Sequence, residues 1–315
     1  MTTVRTLIYR NCKLFFKDKG MFFTSLITPA ILLVLYVTFL GNVYRDSFVT
    51  NLPEGVVLEE GLIDGFVGGQ LISSLLAVSC ITVAFCSNML MVQDKANGTR
   101  SDFDASPVNP SALSASYYLA TMLSTLLICY ITAGIGFAYM GMVGWYLSAG
   151  DVLLLLLDIF LTVSFGTALS SVIHHFLSTQ GQLSAVGTIV SAGYGFLCGA
   201  YMPLSQFSEG LRNALSLLPG TYATSLFRTH ALEGALREME TVGLPSELTE
   251  TLKDVFDCNI YFFGTKVSQP ICYLVLCGST VLLLGLYVCL NFRTQKKKIS
   301  GKIRITFRQK MQKSP

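Results

Sequence analysis

Six stretches of about twenty residues, almost free of charge, limit what this chain can fold into: 21–40, 66–92, 117–140, 152–173, 181–201 and 271–290. That is the length an α-helix needs to cross a ~30 Å hydrocarbon layer. In lipid each backbone N–H must find its acceptor within its own segment, so such stretches are helices. The composition agrees: 52 % hydrophobic and 13 % charged residues lie far from the averages of soluble domains. The expected fold class is therefore an all-α integral membrane protein with six transmembrane helices, an N-terminal interfacial amphipathic helix and short extracellular helices before the last span. The first span is too long for a signal peptide and no A-x-A site ends it.

The basic residues predict the orientation. An even number of spans puts both termini on one side, and residues 1–20 carry five, residues 291–315 nine, of the 22 Lys and Arg. Both termini are expected in the cytoplasm of a multi-pass cell-membrane protein. Segment 41–65 then lies outside with Arg45 as its one base, and 141–151 with none. The chain divides into a cytoplasmic amphipathic helix (1–20), a membrane domain (21–290) and a basic tail (291–315) suited to anionic headgroups. In the first helix Val4, Leu7, Ile8, Leu14 and Phe15 fall on one face and Arg10, Lys13 and Lys17 on the other. A plain membrane anchor and a contact with a partner subunit are both open for it. Within the membrane domain, 93–111 is a mixed-charge cytoplasmic loop bounded by turn formers. Segment 202–269 is a long extracellular loop with eight acids and five bases. Its first part reads as an amphipathic helix or re-entrant hairpin, followed by a helix over about 222–240 and an acid-rich lobe.

No catalytic constellation is present. Gly301-Lys302 lacks the Walker pattern, so this chain cannot itself cradle ATP phosphates, and there is no GxSxG elbow. The nine cysteines are scattered without a CxxC pair, and the adjacent His174 and His175 point to opposite sides, which disfavours a metal site. Asn97-Gly98-Thr99 matches a glycosylation sequon that cytoplasmic placement cancels. The one ionisable side chain within the spans is Asp158, either a contact between helices or part of a path for cargo. Span five is rich in glycine. Gly195 and Gly199 form a GxxxG pair that, with Gly193, suits close helix packing within the chain, a dimer contact or a translocation surface.

These features in this order resemble the ABC-2 type transporter permeases. The residues that carry the resemblance are 93–108, with Asp94, Lys95, Gly98, Thr99, Arg100, Asp102, Phe103, Ser106 and Pro107, then Gly199-Ala-Tyr-Met-Pro203-Leu, and Leu218-Pro219-Gly-Thr-Tyr222 through Arg228. Asp94 stands where the family commonly has glutamate. The resemblance implies the membrane subunit of an ATP-binding cassette exporter, whose cargo is an amphipathic drug, antibiotic peptide or lipid-like molecule. The nine residues named in 93–108 would couple it to a separate ATPase subunit, with Phe103 as the one large apolar anchor. No cofactor is expected in this chain, since ATP and Mg would be bound by that partner. Further partners would be a second permease chain, identical or not, and membrane lipid, but no nucleic acid. The alternative is an ion-coupled secondary transporter, although corresponding broken helices in two halves are lacking.

Overall fold

The structure, a computed structural model, describes residues 2–52 and 58–312. The side chains of residues 295–315, which carry most of the expected basic tail, lie outside the described residues. The chain is about 83 % helical.

Helix α1 (Thr2–Lys17) leads into α2 (Lys19–Leu35), whose N-cap Asp18 accepts from the Met21 N–H at 3.1 Å. One π-helical turn, Tyr36–Leu40, joins α2 to α3 (Gly41–Thr50). Helix α4 (Glu60–Ser87) follows, then the short α5 (Met89–Ala96) and α6 (Thr99–Ala105), separated at Gly98, whose φ of 81° is left-handed. Helix α7 (Pro110–Val143) starts with Pro at its first position under the Asn109 cap, and α8 (Ala149–Phe176) under a Ser148/Asp151 capping box. Helix α9 (Gln180–Leu197), α10 (Glu209–Leu215), α11 (Pro219–Thr241) and α12 (Ser246–Val255) precede an antiparallel hairpin of β1 (Ile260–Phe262) and β2 (Thr265–Val267). The last helix is α13 (Gln269–Gln312). The hairpin is a small addition to a nearly all-α chain, and the β-branched and aromatic Ile260, Tyr261 and Phe262 suit it.

Among the described residues five helical stretches are long and apolar enough to span a membrane: Lys19–Thr50, Glu60–Ala96, Pro110–Val143, Ala149–Phe176 and Gln269–Thr294. Within the apolar window of Glu60–Ala96, 94 % of residues are buried in the bundle, against 17 % in that of Gln269–Thr294. Helix α4 is therefore the central column, and α13 leaves most of its surface for lipid or another chain. The fifth expected span, α9, is not among the five. Its Gly187 lies against Met89, just past the end of α4, while its last residues cluster with Ala77 and Val78 inside the bundle.

The segment expected as an outer loop supplies the deepest helix after α4. Helix α11 starts inside the bundle, where Tyr222 and Leu226 cluster with Ile81, Phe85 and Phe165. It runs back along α4 toward Leu232, Ala235 and Leu236, which cluster with Leu62 and Phe66. Two glycines permit this path. A Cβ on Gly69 would lie 2.6 Å from the Ala231 carbonyl, and one on Gly234 2.2 Å from that of Tyr146. Such small residues let helix backbones approach, the usual source of packing where lipid removes the hydrophobic drive. The helix expected over about 222–240 is thus present as α11, packed against α4 inside the bundle.

Candidate coupling site

The loop 93–111 is built from the bundle outward. Asp94, at the end of α5, is buried and faces two other helices. Arg10 of α1 donates to its two carboxylate oxygens at 2.6 and 3.0 Å, and the Tyr117 hydroxyl of α7 donates to the same group. The hydrogen bonds it gives to Asp94 raise the Arg10 guanidinium above its ordinary value, so Arg10 stays charged. Arg10 also lies over the Phe103 ring, 5.1 Å from its centroid. Helix α1 itself is docked along α7, with Asn11 Nδ2 3.4 Å from Ser116 Oγ and Leu7 and Phe15 buried. Arg10 therefore does not sit on the solvent-facing side of α1 as the wheel suggested. Leu14, placed on the apolar face, is 36 % exposed.

Lys95 points toward α8. Its ammonium donates to the carbonyls of His174, His175 and Leu177 at 2.9, 2.8 and 3.0 Å. The His175 and Leu177 carbonyls lie where a helix end leaves acceptors over, the His174 carbonyl also accepts from the Leu177 N–H, and a cation there complements the helix dipole. Gly98 makes the turn into α6. Beyond it Thr99, Arg100 and Phe103 are half-buried, while Asp102 and Pro107 are exposed. Arg100 reaches Asp104 at 3.7 Å. Ser106 closes α6, its hydroxyl donating to the Phe103 carbonyl at 2.8 Å. Phe103 is thus not an outward anchor, because its ring turns toward the cluster of Leu7, Phe15 and Tyr117. The outward face of α6 is polar.

Asp158 is fully buried, and its partners come from two other helices. His230 Nδ1 of α11 lies 2.6 Å from one carboxylate oxygen, and the Tyr273 hydroxyl of α13 donates to the other at 3.0 Å. Near by, Arg228 of α11 donates to Asp257 at 2.9 Å and to the Gly199 carbonyl at 2.6 Å. Burial pushes the Asp257 carboxyl up, against the opposing pull of Arg228 and the N–H groups of Leu204 and Ser205. Gly195 and Gly199 do not share a helix face. Helix α9 ends at Leu197, Gly199 has a φ of 76°, and the Tyr201 ring covers Gly195. Gly193 meets nothing within 4 Å and stays on the open side of α9.

A family model described as ABC-2 type transporter matches residues 2–231, which include α1 through most of α11. The chain belongs to the ABC-2 type transporter family. It is a multi-pass membrane protein and the transmembrane component of a transporter, not itself an ATPase. ABC-2 type components pair in general with an ABC ATPase subunit. No curated protein matches the chain. Among the described residues no cluster of three or more His, Cys, Asp or Glu could hold a metal ion.

Reading the sequence missed Arg10, Tyr117, His230, Tyr273 and Asp257. Arg10 carried a signal in retrospect: it is a cation next to Asn11, a polar residue on the stripe between Leu7 and Phe15. Arg228 and His230 were visible in the short polar run Arg228-Thr229-His230 between Leu226-Phe227 and Ala231-Leu232.

Proposed function

We propose that this chain is the permease subunit of an ATP-binding cassette exporter, with α6 as the element that receives the motion of the ATPase subunit. The observation that carries the reading is the way α6 is suspended. Its preceding residues Asp94 and Lys95 are fixed to α1, α7 and α8, while Asp102 and Pro107 remain at the surface. A push on α6 therefore reaches α1 and α7 through Asp94 and α8 through Lys95. Asp94, Lys95 and Phe103 act inside the permease, and Thr99, Arg100, Asp102, Ser106 and Pro107 form the rim offered to the ATPase.

Six crossings fit this reading, with both termini cytoplasmic. The fifth would be made in two pieces, α9 to mid-bundle and the re-entrant α11 outward. The open faces of α9 and α13 suit a second permease chain and lipid. The cargo would be an amphipathic molecule moved outward, with ATP and Mg held by the partner. Co-purification with the ATPase, followed by ATP hydrolysis in proteoliposomes, tests the proposal. Hydrolysis should rise when the permease is present, and an ATPase chain indifferent to the permease would refute it.

A further inference from the structure

A cavity of about 300 Å³ lies between the end of α9, α10, the first turns of α11 and the α12–β1 turn. None of its lining residues belongs to α5 or α6.

Two guanidinium groups face this cavity with unused donors. Arg228 is 1 % exposed. Its two terminal nitrogens are committed to Asp257 and Gly199, but its Nε–H is buried with no partner. Arg212 of α10 also has a buried, unpartnered Nε–H, and its side chain makes no hydrogen bond or ion pair with the described residues. Buried donors are normally satisfied, and each exception calls for an explanation.

Two carboxylates share the lining with the two guanidinium groups. Asp257 neutralises Arg228. Asp254 takes its hydrogen bonds from Asn259 Nδ2 at 2.7 Å and the Tyr261 hydroxyl at 2.9 Å. Asp254 thus keeps its own charge in the lining, and Arg212 is the cation there that makes no ion pair with the described residues. The hydroxyls of Ser216, Thr221, Thr224 and Ser225 already donate to backbone carbonyls, so they do not compete as donors. Leu204, Val255 and Ile260 supply an apolar wall.

We infer that this cavity binds an oxyanion, a phosphate carried on an apolar tail, held between Arg212 and the Nε–H of Arg228. A planar guanidinium fork matches phosphate oxygens, and the apolar wall accepts the adjoining chain. The inference is separate from ATPase docking, since it concerns only what the purified chain binds at this cavity.

The test is native mass spectrometry of the full chain in detergent with dioctanoyl phosphatidylglycerol, dioctanoylglycerol and inorganic phosphate. The phosphatidylglycerol should be retained and the dioctanoylglycerol lost. Arg212→Gln should weaken retention about tenfold, roughly 1.4 kcal/mol, with melting unchanged because Arg212 has no partner to lose, and Arg212→Lys should restore part of it. Displacement of the lipid by inorganic phosphate would support the site with a free oxyanion as its source. Retention despite phosphate would support a lipid headgroup. Equal retention of the two lipids, or of phosphatidylglycerol by wild type and Arg212→Gln, would overturn the inference.

Discussion

Arg10 and Asp94 lie 84 positions apart in the chain and meet through two hydrogen bonds, 2.6 and 3.0 Å long, with the Asp94 side chain only 7 % exposed. Removing one partner of a fully buried pair costs about 3–5 kcal/mol. Arg10 keeps 27 % of its side chain in contact with solvent, so about 2 kcal/mol is expected for Arg10→Ala. Thermal melting in detergent measures it. The double variant Arg10→Ala/Asp94→Asn should recover part of the loss, because no uncompensated carboxylate remains.

Lys95 places three hydrogen bonds on the end of α8. Lys95→Met keeps the length of the side chain and removes every donor. Leaving the His175 and Leu177 carbonyls without this donor should cost about 1–3 kcal/mol and speed hydrogen exchange over residues 172–177. Unchanged exchange there would show that the cap does not hold the helix end.

Asp158 joins α8 to α11 and α13 through His230 and Tyr273. His230→Ala should destabilise the chain by about 2 kcal/mol or more, since it strands a buried carboxylate. Asp158→Asn, whose amide oxygen can still accept from Tyr273 and whose amide N–H can face the His230 ring nitrogen, removes the charge and should be milder. The reverse order, read by melting temperature, would mean that the charge and not the contact matters.

Gly199 follows the end of α9 with a φ of 76°, and a Cβ there would sit 2.9 Å from Leu204 Cγ. Gly199→Ala should cost about 1–2 kcal/mol from the left-handed backbone alone. Gly193→Ala, in open space and at an ordinary φ, should leave stability unchanged. Equal effects at the two positions would show that the left-handed backbone is not what requires glycine at 199.

The contrast between these two glycines marks where sequence reading stops. Blocks such as 66–92 are legible because twenty apolar residues have one stable form in lipid. The end of α9 is not, because Gly199 terminates a helix by its backbone angle while reading as one more small residue in a row of five glycines. Helix α11 was legible as a helix but not as a buried one, because Arg228 and His230 look like loop residues until Asp257 and Asp158 are seen to receive them. Arg10 and Asp94 each had a visible role on its own segment, and only the docking of α1 along α7 brings them together.

The account rests on α6 facing the ATPase subunit from the cytoplasm. Site-specific photo-crosslinking tests this most directly, with the crosslinker placed at Asp102 and, as the control, at Thr241, both exposed positions. In the assembled complex the probe at 102 should give an adduct with the ATPase chain, and the probe at 241 should give none. An adduct from 241 with none from 102 would contradict the proposed orientation and the role of α6.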